Sequence, residues 1–388
     1  MTGTPGVPHV EIAVCPMASP TDTTAMEQAL AGPLAEAGFT PHDVLALVAK
    51  SEGHGLPNDY GRVLCEQSLK NALARLRGTD TDEVAATTSV IVSGGTPGVL
   101  SPHVTVIVQR TVPAAGASGG STAVSRPGLV LGRATTAPIH PEDIGRRAQV
   151  STVAEGVAAA MTDAGVTDPA DVHLVMVKGP ALTPGSIEAT LAAGKTVVTT
   201  DPGIGPQGSM CFSNDASALG VAVALGEVED AAVTDEVIRT DWSLYSSVAA
   251  TSAGGEKKEG EVLLFANRAD SPSPLRIGHS LTRDLLDTDG VRRALADAGL
   301  DVGAQATEEE RDRIAQVFAK VCIPGSNELR GAPIVLNADH EAHHVAKAVG
   351  AAIVGSVTGK TTAFVSGGEK NSHMGPPGAN PVAAVVRR

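Results

Sequence analysis

A serine followed by small residues recurs three times along the chain: Val92-Ser93-Gly94-Gly95, Thr251-Ser252-Ala253-Gly254-Gly255 and Val365-Ser366-Gly367-Gly368. Each stands behind a short apolar run and ahead of an extended one, TVIVQR, EVLLFANR and PVAAVVRR. A lysine precedes each serine: DVLALVAK ends on Lys50, DVHLVMVK on Lys178 and the looser RIAQVFAK on Lys320. Self-similarity of this kind means that one supersecondary unit is used three times, and the fold must accommodate three copies of it.

Upstream of each lysine strand an apolar-periodic helix closes on AEAGF, TDAGV or ADAGL, where Gly38, Gly165 and Gly299 can take the left-handed conformation that ends a helix. The unit therefore reads helix, glycine cap, strand, lysine, polar loop, second helix, strand, serine turn, strand. At 388 residues the chain divides into three α+β domains of roughly 110 to 140 residues each. We read them as 1–112, 129–268 and 275–388, separated by the small-residue stretch 113–128 and the Pro/Ser-rich break 269–274. Aromatics make up only 2% of the chain, so its core must be built from Ala, Val, Leu and Ile.

A net charge of −14 and the absence of any basic run exclude a phosphate backbone as partner. No apolar run reaches the length of a bilayer span, and the N-terminus lacks a charged-then-apolar signal segment. Cys15, Cys65, Cys211 and Cys322 are scattered without paired spacing, which reads as reduced thiols in a cytoplasmic protein.

Two motifs invite other readings. His340 to His344, HEAHH, fits the H-E-x-x-H pattern in which two histidines one helical turn apart bind zinc and the glutamate acts as base. The preceding Asn337-Ala338-Asp339 resembles a cap, however, and places these histidines in the first turn of a helix, as a polar start or as a histidine facing a site. Gly203 to Gly208 matches G-x-G-x-x-G after an apolar strand, but Pro206 removes one N–H that a pyrophosphate would need, so the segment reads as a glycine-rich loop insertion. A zinc peptidase and a non-catalytic metabolite-binding protein are thus the alternatives to the chemistry below.

A single serine before glycine is usually a turn, and a lysine at a strand end is usually a solvated edge. Three pairs in register are a different matter. A serine hydroxyl becomes a nucleophile when a base takes its proton, and a lysine can be that base when its amine is neutral. Burial and neighbouring positive charge both lower a lysine pKa, and three lysines around one cavity would do this to one another. Glycines behind the serine let backbone N–H groups approach a developing oxyanion.

The segments KSEGHGLPNDYGR, VSGGTPGVLSPH, VKGPALTP, ASALGVAVALGEV, DWSLYSSVAATSAGGE, RIGHSLTRDLLD, VFAK and VSGGEKNSHMGPPGANP together resemble the cyclic amide hydrolase family over essentially the full length. This family of ring-opening enzymes includes cyanuric acid hydrolases and barbiturases. The resemblance implies three similar domains around a pseudo-threefold axis, with a central β-barrel, helices outside and the ring substrate on the axis. It implies that Ser252 is the nucleophile and Lys178 its base. Lys50, Lys320, Ser93, Gly94, Ala253, Ser366 and Gly367, with Arg62, Asn214 and Lys347 on the second helices, would bind the substrate. It also implies a homo-oligomer, a tetramer, in keeping with the Ala/Val-rich helical surfaces.

The departures from the family pattern bear on substrate and metal. Cyanuric acid hydrolases resemble a set with arginine on all three second helices, whereas this chain has Arg62, Asn214 and Lys347. An arginine offers a planar fork of donors, asparagine is neutral and lysine is a point charge. A site of broken symmetry suits the less symmetric ring, so barbituric acid opened to ureidomalonate ranks first and cyanuric acid opened to carboxybiuret second. No cofactor is needed for this chemistry. Family members hold a structural divalent ion between a glutamate after the third lysine and the loop after the third serine; here that position is Cys322. A thiolate with His373 or Glu369 would suit zinc rather than a hard cation.

Overall fold

The computed structural model describes residues 6–56, 59–95, 98–113, 127–336 and 341–388. The stretch read as a linker at 113–128 falls almost wholly outside them. The first unit runs through β1 (Gly6–Pro16), α1 (Thr24–Ala31), α2 (Pro33–Glu36), β2 (Val44–Ser51), α3 (Tyr60–Arg77), α4 (Thr81–Thr87), β3 (Ser89–Gly94) and β4 (His103–Pro113). The second has β5 (Gly128–Pro138), α5 (Arg147–Ala164), β6 (Val172–Pro180), α6 (Pro184–Ala192), α7 (Ser209–Ala224), β7 (Ala249–Gly254) and β8 (Glu259–Arg268). The third has β9 (Leu275–Thr282), α8 (Thr288–Asp297), α9 (Glu308–Arg313), β10 (Ile314–Ile323), the short pair β11 (Glu328–Leu329) and β12 (Ala332–Pro333), α10 (Ala342–Thr358), β13 (Phe364–Lys370) and β14 (Asn380–Arg387).

Among the described residues each unit makes one four-stranded sheet with the same order: β1-β4-β2-β3, β5-β8-β6-β7 and β9-β14-β10-β13. The lysine and serine strands pair in parallel, and the strand after each serine returns antiparallel. The leading strands β1, β5 and β9 are absent from the unit read in the sequence. Each lies at a sheet edge against the returning strand. Gly38, Gly165 and Gly299 all have positive φ, at 83°, 64° and 96°. In each case the residue after the glycine donates its N–H back across the turn, Phe39 to Leu34, Val166 to Met161 and Leu300 to Leu295, which closes the helix end.

Period-two alternation sends one face of every sheet outward to its own helices and the other inward. Val10, Val48 and Ile91 of the first sheet, Leu131, Met176 and Phe265 of the second, and Ile277, Phe318 and Val385 of the third meet in one shared core. Three separate sheets thus face a common centre. Side-chain amides clamp two of the seams. Gln109 donates to the Leu131 carbonyl and accepts from its N–H (3.0 and 2.9 Å), and Asn267 does the same to Ile277 (2.7 and 3.1 Å). The third seam carries the Arg387–Glu11 ion pair, with bonds of 3.0 and 2.9 Å.

Candidate active site

Alternation also decides where the lysines point. Ala46 and Val48, Leu174 and Met176, and Phe318 lie on the shared core, so Lys50, Lys178 and Lys320, two residues on, face the same centre at its end. Ile91 and Phe364 place Ser93 and Ser366 in the same way, and Ala250, packed on that core, places Ser252. The pairs stand in register: Lys50 opposite Ser93, Lys178 opposite Ser252 and Lys320 opposite Ser366. The lysines do not end their strands as the sequence suggested, since β6 continues to Pro180 and β10 to Ile323. They are buried, at 0, 2 and 4% exposure, rather than solvated at an edge.

All three serines line one cavity, with Lys178, Lys320, Arg62, Asn214, Lys347, Gly94, Ala253 and Gly367. Lys50 stands behind the wall. Its Nζ lies 3.0 Å from Ser93 Oγ, Lys320 Nζ is 3.3 Å from Ser366 Oγ, and the two hydroxyls are 3.4 Å apart. Lys178 differs, donating to the Ala253 carbonyl (3.2 Å) and standing 3.4 Å from Glu256. Ser252 Oγ and Lys178 Nζ form no hydrogen bond here; catalytic contacts are often loose in unliganded sites.

Burial is the main reason these amines hold their protons weakly. It lowers Lys178 to about 8 against the opposing pull of Glu256, and Arg62 adds to the lowering. Lys320 also falls to about 8 by burial, with Lys347 and Lys178 adding to it, while Lys50 is pushed well below the ordinary lysine range by burial, Lys347 and Lys320. Burial likewise brings Lys347 to about 8. Lysines in this range have a neutral fraction available at working pH.

Glu256, Asp59, Ile204 and Met210 escaped the sequence reading. Glu256, four residues after Ser252, bridges Lys178 and Arg62 (3.1 Å). Burial opposes its ionisation, yet Lys178 and Arg62 outweigh this and hold its carboxyl at about 2. Asp59 caps α3 by accepting the Arg62 N–H, and its other oxygen takes the Gly55 N–H. A Cβ at Gly94 would sit 2.0 Å from Asp59 Oδ2, and one at Gly367 would sit 2.8 Å from both the His343 carbonyl and Lys347 Cγ, so these turns demand glycine for close approach. Ile204 and Met210 reach the cavity from the insertion between Lys178 and Ser252. The second position of the broken basic set, Asn214, is 4% exposed and its Oδ1 has no hydrogen-bond partner.

In the glycine run at Gly203 to Gly208, the Gly203 N–H goes to Asp201 and that of Gly208 to the Gly205 carbonyl, while Ser209 and Met210 at the start of α7 donate back to Asp201 and Gly203, so the helix-start donors are turned onto the loop itself. In HEAHH, helix α10 begins at Ala342 with Glu341 as its cap, so the glutamate lies outside the helix on which a zinc protease builds its pair. His340 and the expected cap at 337–339 lie outside the described residues. His343 does face the cavity, and His344 Nε2 contacts the His54 carbonyl at 2.9 Å. The Cys322–His373 zinc reading meets a geometric obstacle: the His373 ring nitrogens are engaged by the Arg239 N–H and the Leu244 carbonyl. Burial holds the Cys322 thiol up at about 12. The Glu369 side chain lies outside the described parts.

Residues 11–387 match the family described as amidohydrolase ring-opening protein. The chain belongs to this family. A cyclic amide hydrolase of Pseudofrankia inefficax is 57% identical over 381 residues, covering 98% of this chain and 95% of the relative. A cyanuric acid amidohydrolase of Bradyrhizobium is 40% identical (96% of each chain), and barbiturase 1 of Nocardioides is 38% identical (88 and 90%). A solved cyanuric acid hydrolase, described as an evolutionary innovation by structural concatenation, superposes with a TM-score of 0.89 at 36% identity over 98% of this chain and 100% of that one. Concatenation accords with the threefold repeat, and the relatives are hydrolases of cyclic amides.

Proposed function

We propose that the protein opens a cyclic ureide ring by hydrolysis, with Ser252 as nucleophile and Lys178 as its base. The convergence of three registered lysine–serine pairs on one cavity carries this reading. Neutral Lys178 takes the Ser252 proton as Oγ adds to a ring carbonyl. The ring C–N bond then breaks as the lysine returns that proton to the leaving nitrogen, and water releases the acyl-enzyme. Ser93 and Ser366, each beside its own lysine, hold the remaining carbonyl oxygens. Glu256 orients Lys178 and balances Arg62.

A second assignment has one observation in its favour: the Lys50–Ser93 contact at 3.0 Å joins a serine directly to a lysine that burial pushes well below its ordinary range. Against it, the Ser93 hydroxyl is already shared between Lys50 and Ser366 Oγ, which lies 3.4 Å away.

Barbituric acid is the substrate we place first and cyanuric acid second. Asn214 supports the order, because its unpartnered Oδ1 puts an acceptor on a wall where Arg62 and Lys347 put cations, and a ring lacking threefold symmetry matches unlike walls. The four cysteines are buried thiols, in keeping with a reducing cytoplasm, and no helix among the described residues is long and apolar enough to cross a membrane. The test follows ultraviolet loss of each ring at equal concentration, using enzyme treated with excess chelator. Faster turnover of barbituric acid that survives chelation supports the reading; preference for cyanuric acid refutes the order, and turnover of neither ring refutes the function.

A further inference from the structure

Outside the cavity, two histidines and a carboxylate from two different units meet at one point. His173 lies near the start of β6, five residues or about 17 Å before Lys178 on the same strand. His279 belongs to β9 and Asp297 to the end of α8. The Nδ1 atoms of the two rings are 2.9 Å apart, and Asp297 Oδ2 lies 3.3 Å from the first and 3.9 Å from the second. The same carboxylate oxygen accepts the His279 backbone N–H at 2.9 Å, which fixes it in place.

Zinc binds imidazole nitrogen and carboxylate oxygen at roughly 2.0–2.2 Å, so two ligands at a tetrahedral angle stand about 3.3 Å apart. The three edges measured here bracket that value and describe one face of a tetrahedron. We propose that His173 Nδ1, His279 Nδ1 and Asp297 Oδ2 form a zinc site, with the fourth position open to solvent. His173 is largely buried, while His279 and Asp297 are 29 and 42% exposed at the side chain, which gives the ion a path in. The nearby Glu227 adds negative field. One of its oxygens is occupied by the Ser247 N–H and hydroxyl.

The repeat sharpens the inference. The positions five residues before Lys50 and Lys320 are Leu45 and Ala315, and those matching His279 in the first two leading strands are Val14 and Arg133. Among the described residues at these equivalent positions, the two histidines stand at the seam between the second and third units and at neither other seam, so the set is not a by-product of the repeat. A bound ion would cross-link those two units at the end of β6 remote from the lysines, and its role is structural.

The test titrates Zn²⁺ into chelator-stripped, untagged full-length protein by calorimetry, and Co²⁺ by visible absorption. One-to-one saturable binding is expected, with tetrahedral cobalt bands and a melting temperature raised by zinc. His279→Gln and Asp297→Asn should each weaken binding by at least about tenfold and abolish the thermal shift. His344→Ala, which removes the other described histidine–carboxylate cluster, should leave both unchanged. No saturable binding to the folded wild type, octahedral cobalt spectra, or binding that survives His279→Gln but is lost in His344→Ala would overturn the site. If His279→Gln does not fold, Asp297→Asn decides by the same criteria.

Discussion

Glu256→Gln probes the electrostatic balance on which the proposed base depends. Glu256 stands 3.4 Å from Lys178 Nζ and 3.1 Å from Arg62. At an effective dielectric of about 20, a unit charge at that distance favours the lysine cation by about 5 kcal/mol, an upper bound corresponding to between 3 and 4 pH units. Removing it leaves the burial of Lys178 unopposed. It also frees the Arg62 charge, which acts in the same direction. A base must be deprotonated to work, so activity in the wild type should rise with pH through a value near 8. In Glu256→Gln the acid limb of the kcat/KM profile should move to lower pH by at least about 1 unit, allowing for solvent screening of a partly exposed carboxylate. Initial rates by ultraviolet loss between pH 5 and 10 measure it. An unmoved limb, or one moved to higher pH, would refute Lys178 as the titrating base.

Lys320→Met should stabilise the fold while impairing turnover. Its amine titrates near 8 in the native state against 10.5 as the ordinary value, so below pH 8 the buried cation destabilises by an amount on the order of 3 kcal/mol. Because the unfolded chain binds the extra proton between about 8 and 10.5, native stability should rise with pH across that window, and the variant, which keeps the same contribution from Lys178 and Lys347, should show a smaller rise. Thermal melts at pH 7 and 10 check this, and a lower melting temperature for the variant at pH 7 contradicts it. Asn214→Arg should shift the ratio of barbituric to cyanuric acid turnover toward cyanuric acid by several-fold to a hundredfold; an unchanged ratio sinks the argument from the broken basic set. We also expect a homotetramer, since Tyr60, Val63 and Leu64 expose an apolar patch on the first turns of α3. Light scattering that returns a monomer at micromolar concentration rules it out.

The repeat and its registered lysine–serine pairs were legible because they rest on local signals: a glycine where a helix ends, a lysine and a serine at the same register of adjacent strands. Alternation was enough to send those side chains to one centre. What the sequence did not yield depends on which segments come together across the fold. Glu256 is visible beside Ser252, but its importance lies in Arg62, which comes from another unit 194 residues away. Asp59 reads as an ordinary helix cap, and only the approach of Gly94 shows that it shapes the serine turn. The leading strands were missed because β1 carries His9 and Glu11 among its apolar residues, and its pairing with β4 spans the whole unit. The start of α10 was set too early by a capping triplet, whereas Glu341 takes that role. Cys322 was considered as a zinc ligand from its position alone, and the network that occupies His373 could not be seen from spacing.

The central claim is that Ser252, rather than Ser93, attacks the ring. The most direct measurement compares kcat for Ser252→Ala and Ser93→Ala on the better of the two ring substrates, with enzyme of verified fold after chelation. The account predicts a loss of at least about 10⁴-fold for Ser252→Ala, as expected when a nucleophile is removed, and a smaller loss of about 10²- to 10³-fold for Ser93→Ala, whose hydroxyl holds a carbonyl oxygen. Near-normal turnover by Ser252→Ala, or abolition by Ser93→Ala alone, would contradict it and assign the chemistry to the Lys50–Ser93 pair.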